Sequence, residues 1–487
     1  MKLSVGTNWD TKLIDVLSNT PEVYEVYGSA SATPIGNGRP SFILGKIANE
    51  DMASYITKIH EKGLKFNYTL NAPCLNNLEY NNEAHKELIE QLDWLVSIGI
   101  DGVTVSIPYL LEIVKKRFPS LSAKVSIIAQ VNSVQKAKFF ENLGADEIML
   151  DYMINRDFKL LENIKKSVNC KLSLLLNDAC IYGCPYRYYH YNICGHASQV
   201  NHQTKGFYID YCAIRCTIER LRDPNLLISS RWIRPEDIKS YEDIGYDSFK
   251  VSGRRMSTNW IKNAVNAYVS RDYDGNLSSI LDYSILGMEE EVHSPEFETI
   301  ISGAVQLKTD TFMKLAQFEP KKPYINNKSL DGFIKYFINK GCSGICNECN
   351  YCRSYAQKAL KLDEKEMQSQ LDTYESLLED LTTSKMFLGK ENKEEAKMKE
   401  ETIEIVWSEK LKADFEHVIS FAPEALRSFA RDAILKAINE NVVGRGDNEV
   451  IEEDMVNAFL VNTPAFFRND MLNSLRELGI DLSKYPV

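Results

Sequence analysis

Between Lys2 and Arg254, eight short β-rich runs alternate with stretches of helical periodicity, and this alternation narrows the folds open to the chain. The runs are Lys2–Thr7, Val23–Gly28, Lys65–Asn71, Gly102–Pro108, Lys124–Val131, Glu147–Tyr152, Lys171–Asn177 and Ser248–Arg254. Most gaps hold amphipathic stretches such as Asn82–Val96 and Ser133–Leu143. Strands separated by helices read as parallel βαβ units, because a parallel neighbour needs a crossover that returns the chain to the same end of the sheet. Glycine breaks within Ser97–Asp101 and Leu143–Asp146 stop helices just before strands. Eight units within about 250 residues predict an α/β fold, a closed (β/α)8 TIM-like barrel, with a doubly wound open sheet as the alternative.

One interval departs from the rhythm. The segment 178–232, after the seventh run, carries Cys180, Cys184, Cys194, Cys212 and Cys216 on the face where barrel enzymes place their active sites. The expected organisation is a barrel over 1–272 with a cluster-binding insertion at 178–232, then an irregular extension with a four-Cys motif over 273–360. A charged helix and linker follow over 361–401, then a small all-α domain over 402–487. Met367, Leu371, Tyr374, Leu378 and Leu381 supply the helical spacing of the charged segment, Lys390–Glu401 reads as a solvated linker, and Pro423–Asn439 is helical in the last domain.

Of 487 residues, 44% are hydrophobic, which excludes global disorder. A formal charge of −11 argues against broad binding to a phosphate backbone. No apolar run approaches the roughly 18 residues of a membrane span, and Met1–Asp10 lacks signal-peptide features. The expectation is a cytoplasmic protein without a membrane partner. In that reducing setting, eleven cysteines point to metal or redox chemistry rather than disulfides.

The sharper cysteine group is Cys342-x3-Cys346-x2-Cys349-x2-Cys352. Four thiolates within eleven residues reach one centre only if the chain wraps tightly, which Gly341 and Gly344 permit. Such crowding favours an iron–sulfur cluster, since structural zinc usually draws its ligands from two separated pairs; zinc remains the alternative. The second group pairs Cys180 with Cys184 and Cys212 with Cys216, with Cys194 as a fifth candidate. An iron–sulfur cluster, zinc, or buried thiols acting as small hydrophobes all satisfy that pattern. Cys74 and Cys170 stand alone and read as core residues, although Cys74 follows a strand exit on the active face.

Around the inserted cysteines, Tyr186–Asn192 is aromatic and polar, fit either to line a pocket or to shield a cluster. Arg187, His190 and His196 lie in or near it, and imidazole titrates near neutrality. Asp151 and Asp178 at strand exits are candidates for proton transfer or for caps. Gly253-Arg254-Arg255 suggests an anion clamp or surface ion pairs, and Asn71, Gln130 and Asn177 complete the strand-exit set.

Two blocks carry a family resemblance: LNDACIYGCPYRYYHYN (Leu176–Asn192) and SSRWIRPEDIKSYEDIGYDSFKVSGRRMSTNWI (Ser229–Ile261). The stretch from Lys2 to Asp274 resembles the collagenase-like peptidases, peptidase family U thirty-two. The resemblance implies a barrel holding a 4Fe–4S cluster, with Cys180, Cys184, Cys212 and Cys216 as ligands. It also implies either oxygen-independent hydroxylation or, for members named as proteases, peptide cleavage. Where some hydroxylation-linked relatives have a Cys in the second block, this chain has Trp232. Ile405–Leu460 is similar to the small helical domain of light-independent protochlorophyllide reductase.

These readings favour an oxygen-sensitive redox enzyme with two iron–sulfur clusters, the second relaying electrons from a donor. The expected substrate is a small molecule, RNA or peptide, and a homo- or hetero-oligomer is open. Asp151, Asp178, Arg187, His190 and Arg254 are its candidate catalytic residues. The alternatives are a peptidase, for which no metalloprotease His-Glu-x-x-His or nucleophile elbow is present, and a non-catalytic iron–sulfur partner subunit.

Overall fold

In the computed structural model, which describes residues 1–44, 47–203, 208–283, 307–316, 323–387, 405–422, 427–463 and 465–485, eight parallel strands close into a barrel. They are β1 (Lys2–Gly6), β2 (Val23–Gly28), β3 (Lys65–Leu70), β4 (Gly102–Val105), β5 (Ser122–Val125), β6 (Glu147–Met149), β7 (Lys171–Leu175) and β8 (Ser248–Val251). Each pairs with its sequence neighbours, and β1 pairs with β8 to complete the ring. The open-sheet alternative is excluded.

Helices α1 (Thr11–Ser18), α2 (Asn49–Glu61), α3 (Asn82–Ser97), α4 (Pro108–Arg117), α5 (Val134–Asn142) and α6 (Phe158–Ser167) form the crossovers through β7. The third shows why these segments are helical. The Asn81 side chain accepts from the Glu83 and Ala84 amides, and Leu88, Ile89, Leu92 and Leu95 make one buried stripe. Gly99, Gly144 and Gly245 adopt positive φ where three crossover helices turn into strands.

Several strands end sooner than their apolar runs. The run to Val131 leaves the sheet after Val125, because the Ser126 hydroxyl accepts from the Ile128 amide and starts a tight turn. The run to Tyr152 ends at Met149, where Asp151 accepts from the Met153 amide in the same way. Side-chain acceptors that compete for the backbone overrule hydrophobicity at these exits.

Between β7 and β8 the chain forms α7 (Arg187–His196), α8 (Tyr211–Arg222), α9 (Asn225–Ser229) and α10 (Ile238–Glu242); α11 (Thr258–Ser270) follows β8. Beyond the barrel, the stretch expected to be irregular contains helices at Phe333–Lys340 and Tyr351–Ala359, and Tyr324–Ile325 pairs antiparallel with Leu360–Lys361. Their short length and aromatic content hide the helical period.

Two compact units divide the chain: 1–296 with 320–371, and 297–319 with 372–487. The division falls inside the helix Glu364–Thr382 rather than at 360 or 401. The second unit has its own core, including Phe415, Ile438, Val442, Met455, Phe459 and Leu475. Its helices include Glu409–Ser420, Arg427–Gly444, Glu452–Asn462 and Ala465–Glu477. Lys390–Glu401 and the first residues of the Pro423–Asn439 stretch lie outside the described residues. Among those described, no helix is long and apolar enough to cross a membrane.

Candidate functional site

The C-terminal ends of the barrel strands enclose a cavity of about 1120 Å³, part of it open to solvent. Cys180, Cys184, Cys194, Cys212 and Cys216 all line it, as do Asp178, Arg187, His190, Lys250 and Arg254. The excursion after β7 thus brings its five thiols to one place.

The wall is carried by α7 and α8. Arg187, the first residue of α7, grips Asp151 through two charge-assisted bonds of 2.9 and 3.1 Å, and both side chains are buried. Asp151 thereby anchors α7 to the exit of β6, with both carboxylate oxygens occupied. Gly195 lets α7 approach the β3 exit, because an added Cβ would meet Pro73 Cδ at 3.0 Å and Ala72 Cβ at 3.3 Å.

His190 and Cys194 stand four residues apart on α7, hence on one face of the helix. Asp210, the N-cap of α8, accepts from the Ala213 amide at 2.8 Å and the Tyr208 hydroxyl at 3.1 Å, and lies 3.3 Å from His190 Nε2. Burial works to lower the His190 pKa, yet the Asp210 carboxylate and the Cys194 sulfur together carry it well above the ordinary histidine value. Burial also opposes charge on Asp210, but His190 and the α8 amide hold its carboxyl below the usual range. A thiol and an imidazole therefore line the cavity, with a carboxylate beside the imidazole. Cys194 and Asp210 were not linked to His190 by sequence reasoning; the four-residue spacing was the available signal for the first, and nothing local marked the second.

For three of the other thiols burial outweighs the charged neighbours. Burial pushes Cys180 and Cys212 up to about 12 and raises Cys216. Arg220 Nη1 lies 3.8 Å from the Cys216 sulfur, supplying a cation beside it. Among the described residues, no three His, Cys, Asp or Glu side chains converge as ligands of a single ion. The donor set nevertheless suits a thiophilic group: Cys180, Cys184, Cys212 and Cys216 border a shared volume, with a guanidinium at hand to offset thiolate charge.

Arg254 lines the cavity with its guanidinium held by neutral oxygens, Ser29 Oγ at 2.6 Å, Thr69 Oγ1 at 3.0 Å and Asn37 Oδ1 at 3.3 Å. Burial pulls its pKa down to about 10. Arg255 instead pairs with Asp282. Asp178 is buried, and burial, reinforced by Asp282, raises its pKa. Lys250 was missed because it reads as an ordinary strand polar residue; burial and then Arg254 push its ammonium down to about 7. His196 stacks on His202 at 4.7 Å between centroids and does not line the cavity. Cys74 and Cys170 are partly exposed rather than core residues.

The sequence model of Peptidase family U32 matches residues 41–273. A protein of Methanocaldococcus jannaschii described as uncharacterized protease MJ1657 is 34% identical over 345 residues, 70% of this chain and 90% of that protein. The solved structure of the U32 peptidase Mk0906 is 20% identical, covers 52% of this chain and 93% of its own, and superposes with a TM-score of 0.40. The family match ends at residue 273 and does not reach the helical region compared above with protochlorophyllide reductase. These relatives overturn the reading of an iron–sulfur redox enzyme and favour the peptidase alternative. The chain belongs to peptidase family U32.

Proposed function

We propose that the protein hydrolyses peptide bonds in the barrel cavity, with Cys194 as nucleophile, His190 as acid–base group and Asp210 as its orienting partner. The juxtaposition of those three side chains, with Cys194 and His190 lining the cavity, carries the reading. The protease description of the Methanocaldococcus jannaschii relative supports it. Cys194 yields its proton to His190, and the thiolate attacks the scissile carbonyl carbon. Collapse of the tetrahedral adduct breaks the C–N bond, and the departing amine takes the proton from His190. Water, deprotonated by His190, then cleaves the thioester and restores the thiol. Arg254, without a carboxylate partner among its hydrogen bonds, suits an anionic substrate group such as a peptide carboxylate.

The remaining thiols, Cys180, Cys184, Cys212 and Cys216, would hold the iron–sulfur group that the resemblance implies. With one cysteine on each iron, that group would supply a brace joining α8 to the loop before α7 at the cavity wall.

The test is turnover of a fluorogenic peptide library by Cys194→Ala protein, with metal content measured in parallel. The expected result is loss of hydrolysis by about three orders of magnitude with metal content unchanged. Cleavage at the rate of the unaltered chain would overturn the assignment.

A further inference from the structure

A second thiol-lined cavity, whose cysteines lie beyond the family match, is separate from the hydrolytic site. Cys342, Cys346, Cys349 and Cys352 all border one volume of about 980 Å³. The chain wraps around it by left-handed backbone at Gly341, Gly344 and Asn350, with φ of 75°, 74° and 51°. An added Cβ at either glycine would meet no described atom within 4 Å, so conformation and not crowding calls for glycine there.

One buried guanidinium lines this cavity and a second lies behind it, near Cys352. Arg231, 2% exposed, donates from Nη2 to the Cys342 sulfur at 3.2 Å, while its Nε and Nη1 have no hydrogen-bond partner among the described residues. Its plane lies 3.6 Å from the centre of the Tyr182 ring. Arg156, 1% exposed, donates from Nη1 to Ile228 O at 2.8 Å and leaves Nη2 unpartnered. Trp232, Phe333 and Phe337 surround it at 4.6, 4.7 and 5.3 Å. Trp232 is thus one wall of the cage around Arg156.

Among the described residues, neither cation forms a direct ion pair with a carboxylate, and the buried Asp237 acts on Arg156 only as a weaker neighbour than Cys352. Burying charge without a counter-charge is strongly unfavourable. The charged groups that neighbour Cys352 include both arginines, along with Cys342 and Cys346. The missing anion therefore belongs at the sulfurs.

We infer that Cys342, Cys346, Cys349 and Cys352 ligate a metal centre as four thiolates, and that Arg231 and Arg156 neutralise it. Loading releases four thiol protons to solvent, leaving four negative sulfurs on a dipositive core, either one zinc ion or a 4Fe–4S unit. The net charge of roughly −2 matches the two guanidinium groups in either case. Arg231 and Arg156 are positioning residues that retain the metal without ligating it.

The experiment uses the full chain purified without oxygen or chelator. Zinc, iron and acid-labile sulfide are measured against the Cys342→Ser/Cys346→Ser/Cys349→Ser/Cys352→Ser variant. A loss of one zinc, or of four irons with four sulfides, supports the site and names its occupant; identical metal content overturns it. A second measurement needs no variant. Cys346 and Cys349, exposed without metal, should resist iodoacetamide as purified and react at least tenfold faster after acid and chelator treatment. Equal rates before and after overturn the proposal. Arg231→Met should release metal to chelator about tenfold faster, and an unchanged rate removes the arginine from the site.

Discussion

The barrel thiols and the Cys342–Cys352 thiols are one chemical group in two settings. The barrel set is gathered from α7, α8 and the loop before them, and burial drives Cys180 and Cys212 up to about 12. The second set comes from eleven consecutive residues, and Cys346 and Cys349 are exposed. There the Tyr336 hydroxyl, 3.5 Å from the Cys349 sulfur, lowers that thiol's pKa. Burial therefore opposes ionisation of Cys180, Cys212 and Cys216, and of Cys352 in the second set, whereas the exposed Cys349 ionises more readily. The lesson is that cysteine count says where sulfur gathers, while surroundings say what each sulfur can do.

The most severe way to break this contrast is to unseat the barrel set. Arg187→Met leaves Asp151 buried without its partner, and should cost about 3–5 kcal/mol in urea unfolding. A loss below about 1 kcal/mol would show that α7 is held by other contacts.

Lys250 sharpens the contrast by pH. Its folded pKa of about 7 lies below the ordinary lysine value near 10.5. Between those values the unfolded chain binds more protons, so this lysine makes stability rise with pH and imposes its full penalty below pH 7. Lys250→Met should abolish that rise and stabilise the protein below pH 7 by up to about 4 kcal/mol. Parallel stability–pH curves for the two proteins would refute the burial argument.

The smallest effect is expected at the second set. Gly341→Ala meets no described side chain but must adopt φ of 75° with ψ of 171°, so metal-stripped protein should lose about 1–3 kcal/mol in urea unfolding. A loss above about 3 kcal/mol would show that this segment is packed as tightly as the barrel wall.

The barrel was legible because its signal is local and repeated. Val23–Gly28 was read to the residue, and the other seven runs overlap their strands. The ends of β5 and β6 were not legible, since Ser126 and Asp151 act through single side-chain bonds that hydrophobicity does not register. Within the candidate site, the gathering of Cys180, Cys184, Cys212 and Cys216 followed from their pairing in the sequence. The roles expected of Asp151 and Arg187 did not distinguish an anchor from a proton carrier.

Sequence alone determined that eight βαβ-type units alternate, and that sulfur is concentrated in two places. Those properties repeat at short range, where the period of burial is written residue by residue. Tertiary structure alone decided that Asp210 meets the His190–Cys194 face, that Lys250 sits with Arg254 in the cavity wall, and that Arg231 reaches Cys342 across 111 positions of chain. Proximity between distant residues depends on how whole elements pack, and no local pattern encodes it.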